Sequence, residues 1–181
     1  GQLLLAGGTE WGQAVLRGSG TTRIEGPLTI SGSNGRGLIQ GHTLELAGPT
    51  TQTGTGSINT GGASRIVNLG TWTEAANGAA FIGNFSGGNA SRFDNAGSFI
   101  KTSAFVTDVG NGVVLNNTGR IDVQAGTLRL SQAFNNQGMI DIAAGAELNS
   151  TVVDFAQRAR VGEVNHGAVE FRSEEHTSEL Q

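Results

Sequence analysis

The amino-acid sequence predicts an all-β fold, a single-stranded parallel β-helix (β-solenoid) with coils of about 19–27 residues. The first observation is a composition of 30 Gly, 2 Pro and no Cys in 181 residues, which favours tight turns and excludes a disulfide framework. The second is a series of runs of three to five residues in which apolar and polar residues alternate between glycines, as in short strands. The third is a repeated phrase built around Asn and Gly.

The repeated phrase is an apolar residue, a polar residue, Asn, any residue, Gly, any residue and a second apolar residue. Close copies occupy residues 93–99, 115–121 and 134–140, and weaker copies occupy 66–72 and 164–169. The recurring turn positions are Asn68 and Gly70, Asn95 and Gly97, Asn117 and Gly119, Asn136 and Gly138, and Asn165 and Gly167. Successive Asn positions lie 27, 22, 19 and 29 residues apart, and the central spacings match one coil of three short strands and three turns.

The residues that flank each Asn-x-Gly corner identify the predicted interior, because nearly all of them are large and apolar. Successive coils stack about 4.8 Å apart, so equivalent side chains would form ladders inside the solenoid. The predicted ladders are Phe93, Leu115 and Phe134 in one stack, and Phe99, Ile121 and Ile140 in another. At the corner itself we expect a positive φ, which Gly adopts freely and Asn tolerates. We also expect the Asn amides of neighbouring coils to bond to each other.

The chain is predicted to be one solenoid domain over residues 1–171. Its coils are irregular over residues 1–62 and carry the clear Asn-x-Gly repeats over 63–171. Residues 172–181 are charged and free of Gly, and they resemble the translation of a widely used sequencing adapter, so we interpret them as a non-native tail. The chain opens on Gly1 rather than Met, and we interpret it as an internal fragment of a longer protein.

Two segments allow more than one interpretation. Residues 51–62 are rich in Gly and Thr and could form a flexible linker, but Ile58 precedes Ile66 of the first copy by eight residues, which favours a polar coil of the same solenoid. Residues 151–160 have the least β-like pattern and are compatible with a short helix.

Composition and charge restrict the partners. The net charge is −4 and 14% of residues are charged, which argues against a nucleic acid held by phosphate neutralisation. The longest apolar runs fall far short of the ~20 residues of a membrane-spanning helix, so we expect no membrane insertion by this chain.

Few residues are candidates for chemistry. Of the three histidines, His42 precedes a predicted strand, His166 lies in a turn position that varies between copies, and His176 lies in the suspected tail. Asp122 and Asp141 occupy equivalent positions in neighbouring coils, and such a pair could bind a cation or act as a general acid and base. We favour two solvent-facing carboxylates, and we therefore expect no enzyme activity, cofactor or metal.

Residues 64–150 resemble the repetitive surface and secreted proteins of bacteria, namely autotransporter passenger domains and filamentous-haemagglutinin-like adhesins. The resemblance is carried by Phe93–Lys101 and by Leu115–Leu128, which contain the phrase and its continuation. It implies an extracellular or cell-surface stalk or adhesin without catalytic residues. The implied partners are glycans or proteins of a host or environmental surface, or other copies of the chain. Binding would use long turns, above all residues 75–91.

Two alternatives remain open at the level of sequence. One is a fragment of a carbohydrate-active parallel β-helix enzyme, in which Asp122 and Asp141 would line a cleft. The other is a self-assembling fibre module, because the terminal strands of a solenoid present unpaired backbone groups.

Overall fold

The fold was analysed in a computed structural model, which describes residues 1–132, 134–150 and the backbone of 153–154. In these residues the chain forms short strands and turns and no helix, and a membrane-spanning helix is therefore absent from them. The strands assemble into three parallel sheets of eight, seven and seven strands, and each coil contributes one strand to each sheet. The predicted all-β parallel solenoid is therefore confirmed.

The first sheet contains every third strand from the start of the chain. Its members are β1 (Gln2–Leu5), β4 (Thr21–Ile24), β7 (Thr43–Leu46), β10 (Arg65–Asn68), β13 (Ser91–Asn95), β16 (Val113–Asn117), β19 (Phe134–Asn136) and β22 (Val153–Asp154). The second sheet contains β2 (Thr9–Glu10), β5 (Leu28–Ile30), β8 (Thr50–Gln52), β11 (Thr71–Glu74), β14 (Ser98–Lys101), β17 (Arg120–Val123) and β20 (Met139–Ile142). The third contains β3 (Val15–Arg17), β6 (Arg36–Ile39), β9 (Ile58–Thr60), β12 (Ala80–Gly83), β15 (Val106–Gly110), β18 (Thr127–Leu130) and β21 (Glu147–Ser150).

These strands form seven complete coils of about 22 residues. The residues in register in the first sheet are Leu5, Ile24, Leu46, Asn68, Asn95, Asn117 and Asn136. They lie 19, 22, 22, 27, 22 and 19 residues apart, within the predicted range of coil lengths. Each coil has a first corner after its first strand, a second corner after its second, and a third corner that leads into the next coil.

Both ambiguous segments contribute strands. The Gly/Thr-rich stretch 51–62 contains the end of β8 and all of β9, so it is a coil of the solenoid rather than a linker. Val153 and Asp154 form β22, which pairs with β19, so the suggested helix over 151–160 is wrong at these two residues. The rest of that segment, and the predicted tail, lie outside the described residues.

Apolar ladders fill the interior, since alternate side chains of every strand point inward. Phe93 pairs in register with Leu115, and Leu115 with Phe134, as predicted from the repeat. The second predicted ladder, Phe99, Ile121 and Ile140, is also in register. Trp72 adds a third ring beside Phe93 and Phe99, with ring centroids 5.2–5.9 Å apart. A single coil has no other apolar surface to cover these side chains, so its stability comes from its neighbours.

The first corner contains a column of stacked glycines whose role differs from the predicted one. Gly70, Gly97, Gly119 and Gly138 do not have positive φ, and neither do the Asn residues before them. The glycines are required because the coils approach each other closely here. A methyl group on Gly119 would lie 2.0 Å from the carbonyl oxygen of Gly97, and one on Gly97 would lie 2.0 Å from that of Gly70. The column extends below the repeat, because Gly26 and Gly48 are equally crowded.

The asparagines of the same corner form an internal amide ladder. Each side-chain Nδ2 donates to the Oδ1 of the Asn in the next coil at 2.7 Å, from Asn68 through Asn95 and Asn117 to Asn136. All four side chains are buried. The Oδ1 of Asn68 accepts no hydrogen bond from the described residues, because Leu46 occupies the equivalent position in the coil below.

This ladder predicts a position-dependent mutational cost. Asn95→Leu leaves the Oδ1 of Asn117 and one N–H of Asn68 without a hydrogen-bond partner. We expect this substitution to lower the free energy of unfolding by about 2–4 kcal/mol. Asn68→Leu removes an Oδ1 that already has no partner and leaves only the Oδ1 of Asn95 without its donor. The loss in free energy of unfolding should therefore be about half as large. Urea unfolding followed by circular dichroism compares the two variants, and equal losses would contradict a cooperative ladder.

The interior also contains an ion pair between a residue of β11 and a residue of β14. The alternation of side chains along these two strands places both residues among the apolar ladders. The side chains of Glu74 and Lys101 are fully buried, and Lys101 Nζ lies 3.4 Å from Glu74 Oε2. Nζ also donates to the carbonyl of Ser103 at 2.6 Å, and the hydroxyl of Thr107 donates to Glu74 Oε2 at 2.8 Å. Burial lowers the pKa of Lys101 below its ordinary value of 10.5, while Glu74 raises it by a smaller amount.

Candidate functional site

The Asn positions of the repeat lie inside the solenoid and are not available to a ligand. Asn68, Asn95, Asn117 and Asn136 are buried, and the adjoining glycines are half-buried and pack closely on the corner of the coil below. Asn165 and Gly167 lie outside the described residues. The structure therefore assigns the described copies of the motif to coil stacking.

The two register-equivalent carboxylates lie on the outer face of the second sheet. Asp122 pairs with Asp141 in register, and Arg120 is shared between them, at 3.5 Å from Asp122 Oδ2 and 2.9 Å from Asp141 Oδ2. The amide of Gln124 also donates to Asp122 at 3.0 Å. Within the described part of the chain no group of three or more His, Cys, Asp or Glu is placed to hold a metal ion. The pair is thus part of a surface ion-pair cluster centred on a guanidinium.

His42 has a structural environment. Its ring is buried, with Nδ1 3.1 Å from the carbonyl oxygen of Gly18 and Nε2 3.0 Å from the hydroxyl of Thr22. A carbonyl can only accept, so Nδ1 carries a proton and donates to Gly18, and the hydroxyl of Thr22 pairs with Nε2. The other histidines, His166 and His176, lie outside the described residues.

The longest corner of the described chain lies in the segment where binding was expected. The corner between Gly83 and Ser91 has seven residues, 84–90, and it makes the fourth coil 27 residues long. It is tied to the coil below: Ser86 N donates to Thr60 O at 3.1 Å, and Gly62 N donates to Gly87 O at 2.9 Å. Deleting residues 83–89 would remove these bonds and the end of β12, so single substitutions are the better test of this loop.

Beside this corner the outer face of the third sheet forms a cleft. Register places Phe81 next to Asp108, and Gly83 next to Gly110 two residues further along the same strands. The corner of residues 84–90 folds back so that the ring of Phe85 lies over Gly83. A methyl group added to Gly83 would lie 2.7 Å from Phe85 Cε2. The cavity has a volume of about 230 Å³. Phe81, Phe85, Gly83 and Gly110 are among the residues that line it, and the ring of Phe85 covers Gly83.

The sharp turn that follows β15 closes one end of the cleft. Asn111 and Gly112 both have positive φ, of 46° and 80°, a conformation that Asn and Gly adopt at little cost. The carbonyl of Asn111 accepts from Asn84 N at 2.7 Å, which joins the turn to the long corner of the coil below. The Asn111 side chain lines the cavity.

The polar residues that line the cleft are Asp108 and Asn111, and a charge pair beside the cleft holds Asp108 in place. Arg129 contacts the Oδ2 of Asp108 through Nε at 2.8 Å and Nη2 at 2.7 Å, while Ser131 donates to Oδ1 at 2.9 Å. Asp108 is mostly buried, whereas Arg129 is about half exposed. The pair is neutral overall. The carboxylate of Asp108 retains lone pairs for a ligand, whereas Arg129 does not line the cleft.

Sequence reasoning located the long corner but missed its partners. Phe81 could have been assigned to the surface, because the alternation Ala80-Phe81-Ile82 gives it the opposite face to two interior residues. Asp108 could not be matched to Phe81 in the same way, because the two residues are 27 positions apart across the irregular corner.

Comparisons with protein-family models, curated proteins and solved structures found no match. The fold and the cleft are therefore the basis for any functional conclusion.

Proposed function

We propose that this chain is a non-catalytic structural and adhesive segment of a bacterial cell-surface or secreted repetitive protein. The observation that carries the proposal is the aromatic cleft on the outer face of the third sheet, held by stacked coils that interlock through the glycine column and the amide ladder. The solenoid supplies stiffness, because each inner strand is bonded to a strand on both sides. The cleft supplies a place for contact with another surface.

Exposure of aromatic residues supports an adhesive role. Phe81 and Phe85 are 38% and 56% exposed, and both lie at the cleft. Exposed phenyl groups gathered around a concave site mark a binding surface more often than scattered single residues do. The location proposed is extracellular, with a glycan or protein of another surface as the partner. The self-assembling fibre alternative stays a prediction.

An adhesion assay tests this proposal. Beads coated with the 181-residue chain should be retained under flow on mucin-coated or fibronectin-coated surfaces, more than beads coated with an inert protein. Phe85→Ala should reduce retention several-fold, because it removes one wall of the cleft. Phe105→Ala is the matched control, since Phe105 is 49% exposed but does not line the cleft. Retention of wild-type beads no greater than that of inert beads would reject the adhesive role.

A further inference from the structure

The shape of the cleft restricts its ligand to a flat group with an apolar face. Phe81 and Phe85 line it, and the adjoining Gly83 and Gly110 add no side chains of their own. A methyl group on Gly110 would lie 2.6 Å from Ser131 Cβ, so Ser131 packs against this glycine and leaves no room for a side chain there. A cavity of about 230 Å³ has room for one small ring.

The polar lining of the cleft favours hydroxyl groups on the ligand. The carboxylate of Asp108 can accept hydrogen bonds beyond those from Arg129 and Ser131, and the amide of Asn111 can donate and accept them. Arg129 neutralises Asp108 from outside the lining, so the cleft gives no net attraction to an anion or a cation. A neutral ring with hydroxyls on its edge uses these polar groups, whereas a phenyl or prolyl side chain does not.

We propose that the cleft binds one pyranose ring of an uncharged glycan, an inference that rests on the adhesive function proposed above. One face of a pyranose consists largely of C–H groups and packs on a phenyl ring. Its edge carries vicinal hydroxyls, each both a donor and an acceptor. The ring stacks on Phe85, and two of its hydroxyls bond to Asp108 and Asn111.

NMR titration of the full chain tests the ligand class. Methyl β-galactopyranoside and methyl β-glucopyranoside are the neutral probes, methyl β-glucuronide is the anionic probe, and a proline-rich peptide is the non-sugar probe. At least one neutral probe should shift the backbone amide signals of Gly83 and Gly110 with a Kd of the order of 1 mM, as expected for a single ring. The glucuronide should bind at least tenfold more weakly.

Two variants separate stacking from general surface effects. Phe85→Ala should weaken binding of the neutral probe at least tenfold, while Phe85→Trp should preserve it because a larger aromatic face remains. Phe105→Ala should leave the Kd unchanged. Circular dichroism spectra and unfolding midpoints that match those of wild type show that each variant is folded.

The outcomes distinguish this inference from the function on which it rests. If beads adhere through Phe85 but no neutral sugar shifts Gly83 and Gly110, the glycan is rejected and adhesion stands. If the proline-rich peptide shifts these amides instead, the ligand is a protein segment and the inference is overturned. If a sugar binds at the cleft but beads do not adhere, the binding site stands without the adhesive role. Sugar binding unaffected by Phe85→Ala would place the ligand elsewhere and also overturn the inference.

Discussion

Glu74→Gln should lower the free energy of unfolding by about 3–5 kcal/mol, because it leaves the ammonium of Lys101 buried without a counter-charge. Lys101→Met should have a comparable effect by isolating the carboxylate. The double variant Glu74→Leu/Lys101→Met should recover most of the loss, since two apolar side chains of similar volume are compatible with the surrounding ladders. Urea unfolding at pH 7 provides these free energies and that of Glu74→Leu alone. Losses of Glu74→Leu and Lys101→Met that add up in the double variant would contradict coupling between these residues.

The same pair predicts how stability depends on pH. The folded-state pKa of Lys101 lies below its ordinary value of 10.5, so in the interval between the two values the unfolded chain binds more protons than the folded chain. The contribution of Lys101 to the free energy of unfolding must therefore rise as pH rises towards 10.5 and be lost as pH falls through the folded pKa. Glu74→Gln should steepen this dependence and Lys101→Met should abolish it. A wild-type slope equal to that of Lys101→Met between pH 8 and about 10 would contradict the assignment.

Gly119→Ala should be among the most destabilising single-methyl changes in the protein, with a loss of about 3 kcal/mol or more. The added methyl group would lie 2.0 Å from the carbonyl oxygen of Gly97 and 2.7 Å from the carbonyl carbon of Ala96. Both neighbours are backbone atoms, so no side chain can rotate away, and the coils would have to separate at the first corner.

Gly8→Ala is the matched control for this substitution. Gly8 also lies at a corner, but its position has no atom within 4 Å of the added methyl group and no positive φ. We expect a change within about 0.5 kcal/mol, the usual range for an unconstrained surface site. Thermal unfolding of both variants measures the difference, and similar midpoints would show that the glycine column tolerates side chains.

The Asn-x-Gly phrase predicted the ladders because each copy also fixes the positions of its flanking apolar residues relative to the Asn. Phe93, Leu115 and Phe134 keep a constant distance from the Asn of their coil, so stacking the asparagines stacks the rings as well. The same phrase gave the wrong reason for its glycines. One coil read alone suggests a turn that needs unusual φ, whereas the close approach that excludes a side chain involves the coil below.

The buried pair and the cleft were harder to predict, for different physical reasons. Alternation in Ser98-Phe99-Ile100-Lys101 places Lys101 on the same inward face as Phe99. A lysine is almost never fully buried, so its residue type argues against the interior position that the alternation predicts. The cleft depends on register across a corner of seven residues. A repeat with a variable insertion does not show which residues become neighbours after it.

The three corners of a coil differ in how much their lengths vary, and this difference affects how several sites on one solenoid could bind together. In the seven coils that the structure describes, the first corner has only two or three residues, whereas the third varies from two to seven. New loops can therefore enter at the third corner without disturbing the stack. Because each coil advances about 4.8 Å along the axis, two such loops on one solenoid would be held at a fixed multiple of that distance. Their combined avidity would then depend on how well this spacing matches the repeat of the bound polymer.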